Sequence, residues 1–148
     1  MDKVLAQFDL VRRRYPAHDK RMAGFYDNVD YINRLAESSH GFIWREVEED
    51  LDSLEKLWGE DYIYTLSTWE DVASLKRFIY QASHLKMMRS GRDWFHKLDH
   101  PRLVLWWVPA NHVPSLQEAH ERLMYLYENG PSYHAFDFKS CDLPAVLY

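Results

Sequence analysis

Apolar positions along the chain switch between a step of two and a step of three or four, the mark of a mixture of strands and helices. "KVLAQFDLV" at residues 3–11 alternates imperfectly and predicts a first strand, with "RRRYPAHD" as the loop after it. Met22, Phe25, Tyr26, Val29, Ile32, Asn33 and Ala36 then recur at helical steps, predicting one helix over residues 19–38 that Asp19 caps and "SSHG" ends. "FIWREV" (42–47) and "YIYTLSTW" (62–69) are aromatic and β-branched, as strands prefer, and the acidic segment between them reads as a solvated loop. Thr68 and Asp71 mark the start of a second helix with the stripe Val72, Leu75, Phe78, Ile79 and Ala82; it runs on or bends near Ser83 and ends before Pro101. "RLVLWWVP" (102–109) is apolar on both alternating faces and predicts an inner strand covered on two sides, with Trp106 and Trp107 buried. "SLQEAHERLMYLYENGP" is the clearest helix: Ser115 and Glu118 form a capping box, Leu116, Ala119, Leu123 and Leu126 make the stripe, and Asn129-Gly130-Pro131 stops it. "HAFDF" fits one short edge strand.

The order β-α-β-β-α-β, followed by a helix and a short strand, predicts an α+β, ferredoxin-like subunit with an antiparallel sheet, occupying residues 1–148 as one domain. Two helices cover one sheet face. The other would expose rings such as Phe42, Trp44, Tyr62 and Tyr64, so a second copy of the sheet is expected to pack on it in a homodimer, a dimeric α/β barrel.

Composition narrows the function. Apolar residues make up 47% of the chain and aromatic ones 16%, enough for a core with rings left over to line a pocket. The net charge of −5 argues against nucleic acid as a partner, and the cluster Arg12–Arg14 is too short for a basic patch. A single cysteine, Cys141, allows no intrachain disulfide and points to the cytoplasm. The N-terminus lacks the features of a signal peptide, and the longest apolar run, residues 103–110, is far short of the ~20 residues a membrane helix needs. Glycine-rich phosphate loops, CxxC pairs and nucleophile elbows are absent from the sequence, which disfavours nucleotide, redox-thiol and serine-hydrolase chemistry.

One histidine stands out. His84 lies on the second predicted helix among Tyr80, Met87 and Met88, and an ionisable group on such a stripe is paired, neutral or used. It is the candidate acid–base residue, facing a cavity near Trp69, Tyr80 and Trp107; the competing reading is a packed, hydrogen-bonded core histidine. Trp69, Tyr80, Trp94 and Trp107 are candidate walls for a small hydrophobic or aromatic ligand, or core rings. His112, in the loop before the capped helix, either contacts that ligand or fixes the loop. His96 and His100 have the step of a helical metal pair but lack the remainder of a ligand set, so no metal or cofactor is expected.

The strand at Gly41–Arg45, "LSTWED" at 66–71, "FIYQASHLKMMRSGRDWF" at 78–95 and "LWWVPANHVPSLQEAHERL" at 105–123 resemble a bacterial family known only as a domain of unknown function. That family is similar to the antibiotic-biosynthesis-monooxygenase group of dimeric α/β barrels. The resemblance implies a monooxygenase-like protein that binds a small molecule between sheet and helices, with cofactor-free oxidation or acid–base chemistry there. The alternatives are a non-catalytic binding module or a haem-binding relative, since a histidine on the second helix ligates iron in haem-degrading members. A partnering asparagine is not evident on the first strand, where the polar residues are Gln7 and Asp9. A shared fold does not by itself fix a function.

Overall fold

The computed structural model describes residues 2–85 and 91–141. Four strands, β1 (Lys3–Arg12), β2 (Phe42–Arg45), β3 (Tyr62–Trp69) and β4 (Leu103–Pro109), form one antiparallel sheet in the order β2-β3-β1-β4. β1 is central, in register with β3 from Leu5↔Trp69 to Arg12↔Tyr62 and with β4 from Lys3↔Pro109 to Asp9↔Leu103. This is the α+β, ferredoxin-like arrangement that the sequence predicts.

Because side chains alternate along a strand, β1 sorts its residues between two cores. Val4, Ala6, Phe8 and Leu10 join Leu66, Val104 and Trp106 beneath α3 (Leu51–Trp58) and α6 (Leu116–Asn129). On the opposite face Leu5, Trp69, Leu103 and Leu105 meet α2 (Val29–Glu37) and α4 (Val72–Ser83). A third, smaller cluster joins Val11 to Met22 and to Phe25 of α1 (Ala23–Tyr26), Trp94 of α5 (Gly91–Trp94) and Phe95.

The face assigned from sequence to a second copy is thus covered from within the chain. The acidic segment is not a loop over residues 51–58 but helix α3, whose Leu51, Leu54, Leu57 and Trp58 keep helical spacing while Asp52 and Glu55 stay in solvent. Asp50 caps it, its carboxylate accepting from the Ser53 amide at 3.1 Å, and Trp58 stacks on Phe8 with ring centroids 5.2 Å apart. Tyr64 is buried on this face, whereas Phe42 turns to the opposite one and meets Trp69 edge-on at 5.3 Å.

Other elements depart from the sequence pattern in detail. Asp19 does cap, accepting from the Arg21 amide at 2.9 Å, but residues 20–37 form a 3-10 turn, then α1, then α2, with a break at Asp27 and Asn28. There the Asn28 side chain donates to the Gly24 carbonyl at 2.7 Å. The cap of α4 is Asp71, which accepts from the Ser74 amide at 2.8 Å; Thr68 is buried inside β3. α4 stops at Ser83, and α5 is a separate turn. β4 is covered on both faces as predicted yet lies at the sheet margin, and "HAFDF" contributes only the bridge between Phe136 and Leu105. Gly41, at φ 86°, lets the start of β2 pass α4, since a Cβ there would stand 2.0 Å from the Ser74 hydroxyl. Among the described residues no helix is long and apolar enough to cross a membrane.

The α3–α6 contact carries a pH dependence. His120 of α6 lies edge-on to Trp58 at 4.7 Å, and burial holds its pKa below the ordinary 6.5. The unfolded chain therefore binds the proton more readily, so stability is full above about pH 6.5 and falls as pH drops toward the folded-state value. Urea midpoints should decline from about pH 7.5 to about pH 5, and part of that slope should vanish in His120→Phe. Leu123→Ala, which removes a fully buried α6 side chain, should cost about 2–5 kcal/mol at every pH.

Candidate functional site

Between the sheet and the helices α1, α2, α4 and α5 lies a cavity of about 530 Å³. Its floor comes from the alternate residues of β1 and β3 that point away from α6. Most of that face is apolar, as packing against helices requires, but its centre is not: Gln7 and Asp9 of β1 stand opposite Ser67 and Thr65 of β3. Gln7, Asp9 and Ser67 are buried, while Thr65 is exposed on the cavity floor.

Each polar group in this row is held. The Trp69 indole N–H donates to Ser67 Oγ at 3.0 Å, Ser67 Oγ donates to Gln7 Oε1 at 2.7 Å, and Gln7 Nε2 donates to Thr65 Oγ1 at 3.2 Å. Asp9 receives both Nε and Nη2 of Arg102, at 2.8 and 2.7 Å, a two-pronged pair that satisfies a buried carboxylate. Both oxygens of Asp9 are thus engaged by Arg102.

The walls are rings and aliphatic side chains. Trp69 stacks on Phe78 at 5.4 Å, Phe25 meets Trp94 edge-on at 5.9 Å, and Ile32, Ala36, Leu75 and Ile79 fill the spaces between. Gly24 admits Trp94, since a Cβ there would come within 2.8 Å of the indole. Arg13 closes one end, donating to the Tyr26 hydroxyl at 3.1 Å and pairing with Asp61 at 3.0 Å. The cavity meets solvent beside residues 45–51, where Val47 is 66% exposed. At this mouth Arg45 pairs with Glu37 at 3.1 Å, and Glu46 accepts a short hydrogen bond from Tyr64. Burial, then the bond to Glu46, pushes the Tyr64 phenol well above its usual range; burial, then the Glu46 charge, raises Glu49.

Of the residues predicted from sequence, Trp69 and Trp94 line the cavity. His84 does not. It sits at the end of α4 on the outer surface, exposed, with Nδ1 bonded to the Tyr80 carbonyl at 2.8 Å. It lies two positions past buried Ala82, which at about 3.6 residues per turn is the far side of the helix. Tyr80 is 59% exposed and meets the His84 ring at a tilt, with centroids 4.4 Å apart, forming a surface pair. Trp107 is half-buried against Phe136, away from the cavity lining. His112 fixes its loop: Nε2 bonds Glu118 at 2.7 Å, and the other oxygen of Glu118 accepts from the Trp106 indole at 2.8 Å. Glu118 thus serves the histidine and the indole, while its own amide donates to Ser115 Oγ at 3.1 Å. His96 and His100 lie beyond the end of α5, so their spacing is not helical. Met87 and Met88 fall outside the described residues. Because no histidine lines the cavity, the residues present do not fit a haem bound there.

The chain matches the family described as "Domain of unknown function (DUF3291)" over residues 4–145 and belongs to it. No curated protein matches the sequence. Among solved structures, SnoaB, a cofactor-independent oxygenase from Streptomyces nogalater, is 13% identical, with 78% of this chain and 98% of that one covered and a TM-score of 0.43. A protein of unknown function from Nitrosomonas europaea, NE2512, is 14% identical over 76% of this chain and 96% of its own, with a TM-score of 0.47. PA3566 from Pseudomonas aeruginosa is 11% identical over 77% and 98%, with a TM-score of 0.44. Likeness at this level concerns the course of the backbone and carries nothing about chemistry.

The polar row makes a stability prediction. Ser67→Ala removes the acceptor of a buried indole N–H and the donor to Gln7 Oε1, and should cost about 1–3 kcal/mol in chemical denaturation, more than a surface serine would.

Proposed function

We propose that this protein binds a small, flat, largely apolar molecule of aromatic type in the cavity between the sheet and α1, α2, α4 and α5. The observation that supports the reading is the cavity's make-up: aromatic and aliphatic walls around a short row of oriented polar groups, the pattern of sites that hold an apolar body and read one polar feature. Trp69 and Trp94 are the wall residues, stacking on the ligand's faces. Turnover at this site, as cofactor-free oxidation or proton transfer, is the second part of the proposal. His84 has no access to the cavity, so the proton-handling candidates are the carboxylates at the mouth, Glu46 and Glu49, the second with its pKa raised by burial. The binding unit is the single chain, because sheet-to-sheet pairing of two copies would require α3 and α6 to leave the sheet. A cytoplasmic location, inferred from the single cysteine, belongs to the same proposal.

The test uses fluorene, a flat hydrocarbon with neither a hydrogen-bond donor nor an acceptor, in equilibrium dialysis. The wild-type chain should retain it. Ala36→Phe, which places a ring into the cavity from α2, should weaken retention by about tenfold or more while circular dichroism shows the fold intact. Equal retention by the two proteins, or none by either, would remove the proposal.

A further inference from the structure

Hydrogen-bond direction in the cavity floor follows from one donor-only group. An indole N–H donates and never accepts, so Ser67 Oγ, 3.0 Å from Trp69 Nε1, must accept there. Ser67 is buried, and among the described residues its own proton has one acceptor within reach, Gln7 Oε1 at 2.7 Å. The amide orientation is thereby set. Turning it over would leave the Ser67 hydroxyl proton buried without an acceptor, at a cost of about 1–3 kcal/mol. With Oε1 facing Ser67, Gln7 Nε2 faces Thr65 and donates to Oγ1 at 3.2 Å. Thr65 therefore accepts from Gln7, and its own O–H has no acceptor among the described residues. The Thr65 side chain is also the exposed member of the row.

We propose that Thr65 is the specificity-determining residue of the cavity, presenting a hydrogen-bond donor so that the site selects a neutral aromatic molecule carrying an acceptor oxygen, a carbonyl or ether, over one carrying a donor. This rests on the cavity being the binding site. The neutrality follows from the lining charges. Arg13 and Arg45 are each paired with a carboxylate, Asp61 and Glu37, whereas Asp30, Glu46 and Glu49 carry no ion pair among the described residues, so an anionic ligand meets a surplus of negative charge. A donor on the ligand could use the second lone pair of Thr65 Oγ1, but the Thr65 proton would then be covered without an acceptor, so such a ligand gains less than one that accepts.

Three molecules of one shape separate the possibilities: fluorene, fluorenone with a carbonyl at the bridging position, and carbazole with an N–H there. Equilibrium dialysis should show fluorenone held about tenfold more tightly than fluorene, the worth of one hydrogen bond, and carbazole no more tightly than fluorene. Thr65→Val should bring fluorenone to the fluorene value while leaving fluorene within about twofold, and Thr65→Ser should keep the preference. Fluorene-9-carboxylate should bind the wild type more weakly than fluorenone. If fluorene is not retained at all, the cavity reading falls and this inference with it. Fluorene retained with no fluorenone preference, a preference that survives Thr65→Val, a preference for carbazole, or tighter binding of the carboxylate would each overturn this inference alone.

Discussion

The central strand β1 is hydrogen-bonded along both edges, and this fixes which way each of its side chains points. Nearly everything else in the molecule is arranged around that alternation. The even-numbered residues from Val4 to Leu10 are apolar and carry α6 and α3. The odd-numbered ones run Leu5, Gln7, Asp9, Val11, so the other face is apolar at its ends and polar in its middle. A slip of one residue would put Gln7 and Asp9 under α6, where no partner awaits them, and Phe8 into the cavity. Register and site are one constraint.

The polar middle persists because its atoms are accounted for. A carboxylate in a sheet core is costly unless its lone pairs are met, and Arg102 meets Asp9 with two bonds while tying the start of β4 to the centre of the sheet. The Gln7–Ser67–Trp69 chain does the same for uncharged groups between β1 and β3. The row therefore holds neighbouring strands together as well as furnishing the cavity, and a change in one role is felt in the other.

Strands and the long helix α6 were legible in the sequence because their apolar periodicity is strong and their ends carry caps. α3 was hidden by its charge: the carboxylates of residues 48–61 suggest a solvated loop, although Leu51, Leu54, Leu57 and Trp58 already keep helical steps. That omission, together with leaving α6 unassigned to a face, produced the expectation of an uncovered face and of a second sheet on it. At the site, Trp69 and Trp94 were found because large rings on core stripes are conspicuous. Gln7, Asp9, Thr65 and Ser67 were not identified as site residues, though pairs of polar residues two apart inside otherwise apolar strands are the signal for a polar patch on one sheet face. His84 was misplaced because the stripe was extended past Ser83, beyond the end of α4. The histidine that does meet the core is His120, one position past the buried Ala119 of α6.

The short edge strand has a kinetic meaning. β2 pairs only with the last three residues of β3, Ser67 to Trp69, and the chain then leaves the sheet through residues 46–50 toward α3. The cavity meets solvent at that gap, between the exposed side chains of Val47 and Leu51. Exchange of a bound molecule past this edge involves side-chain rotation and desolvation at Val47, Leu51 and Glu49, and rotation of such exposed side chains takes place on the nanosecond scale.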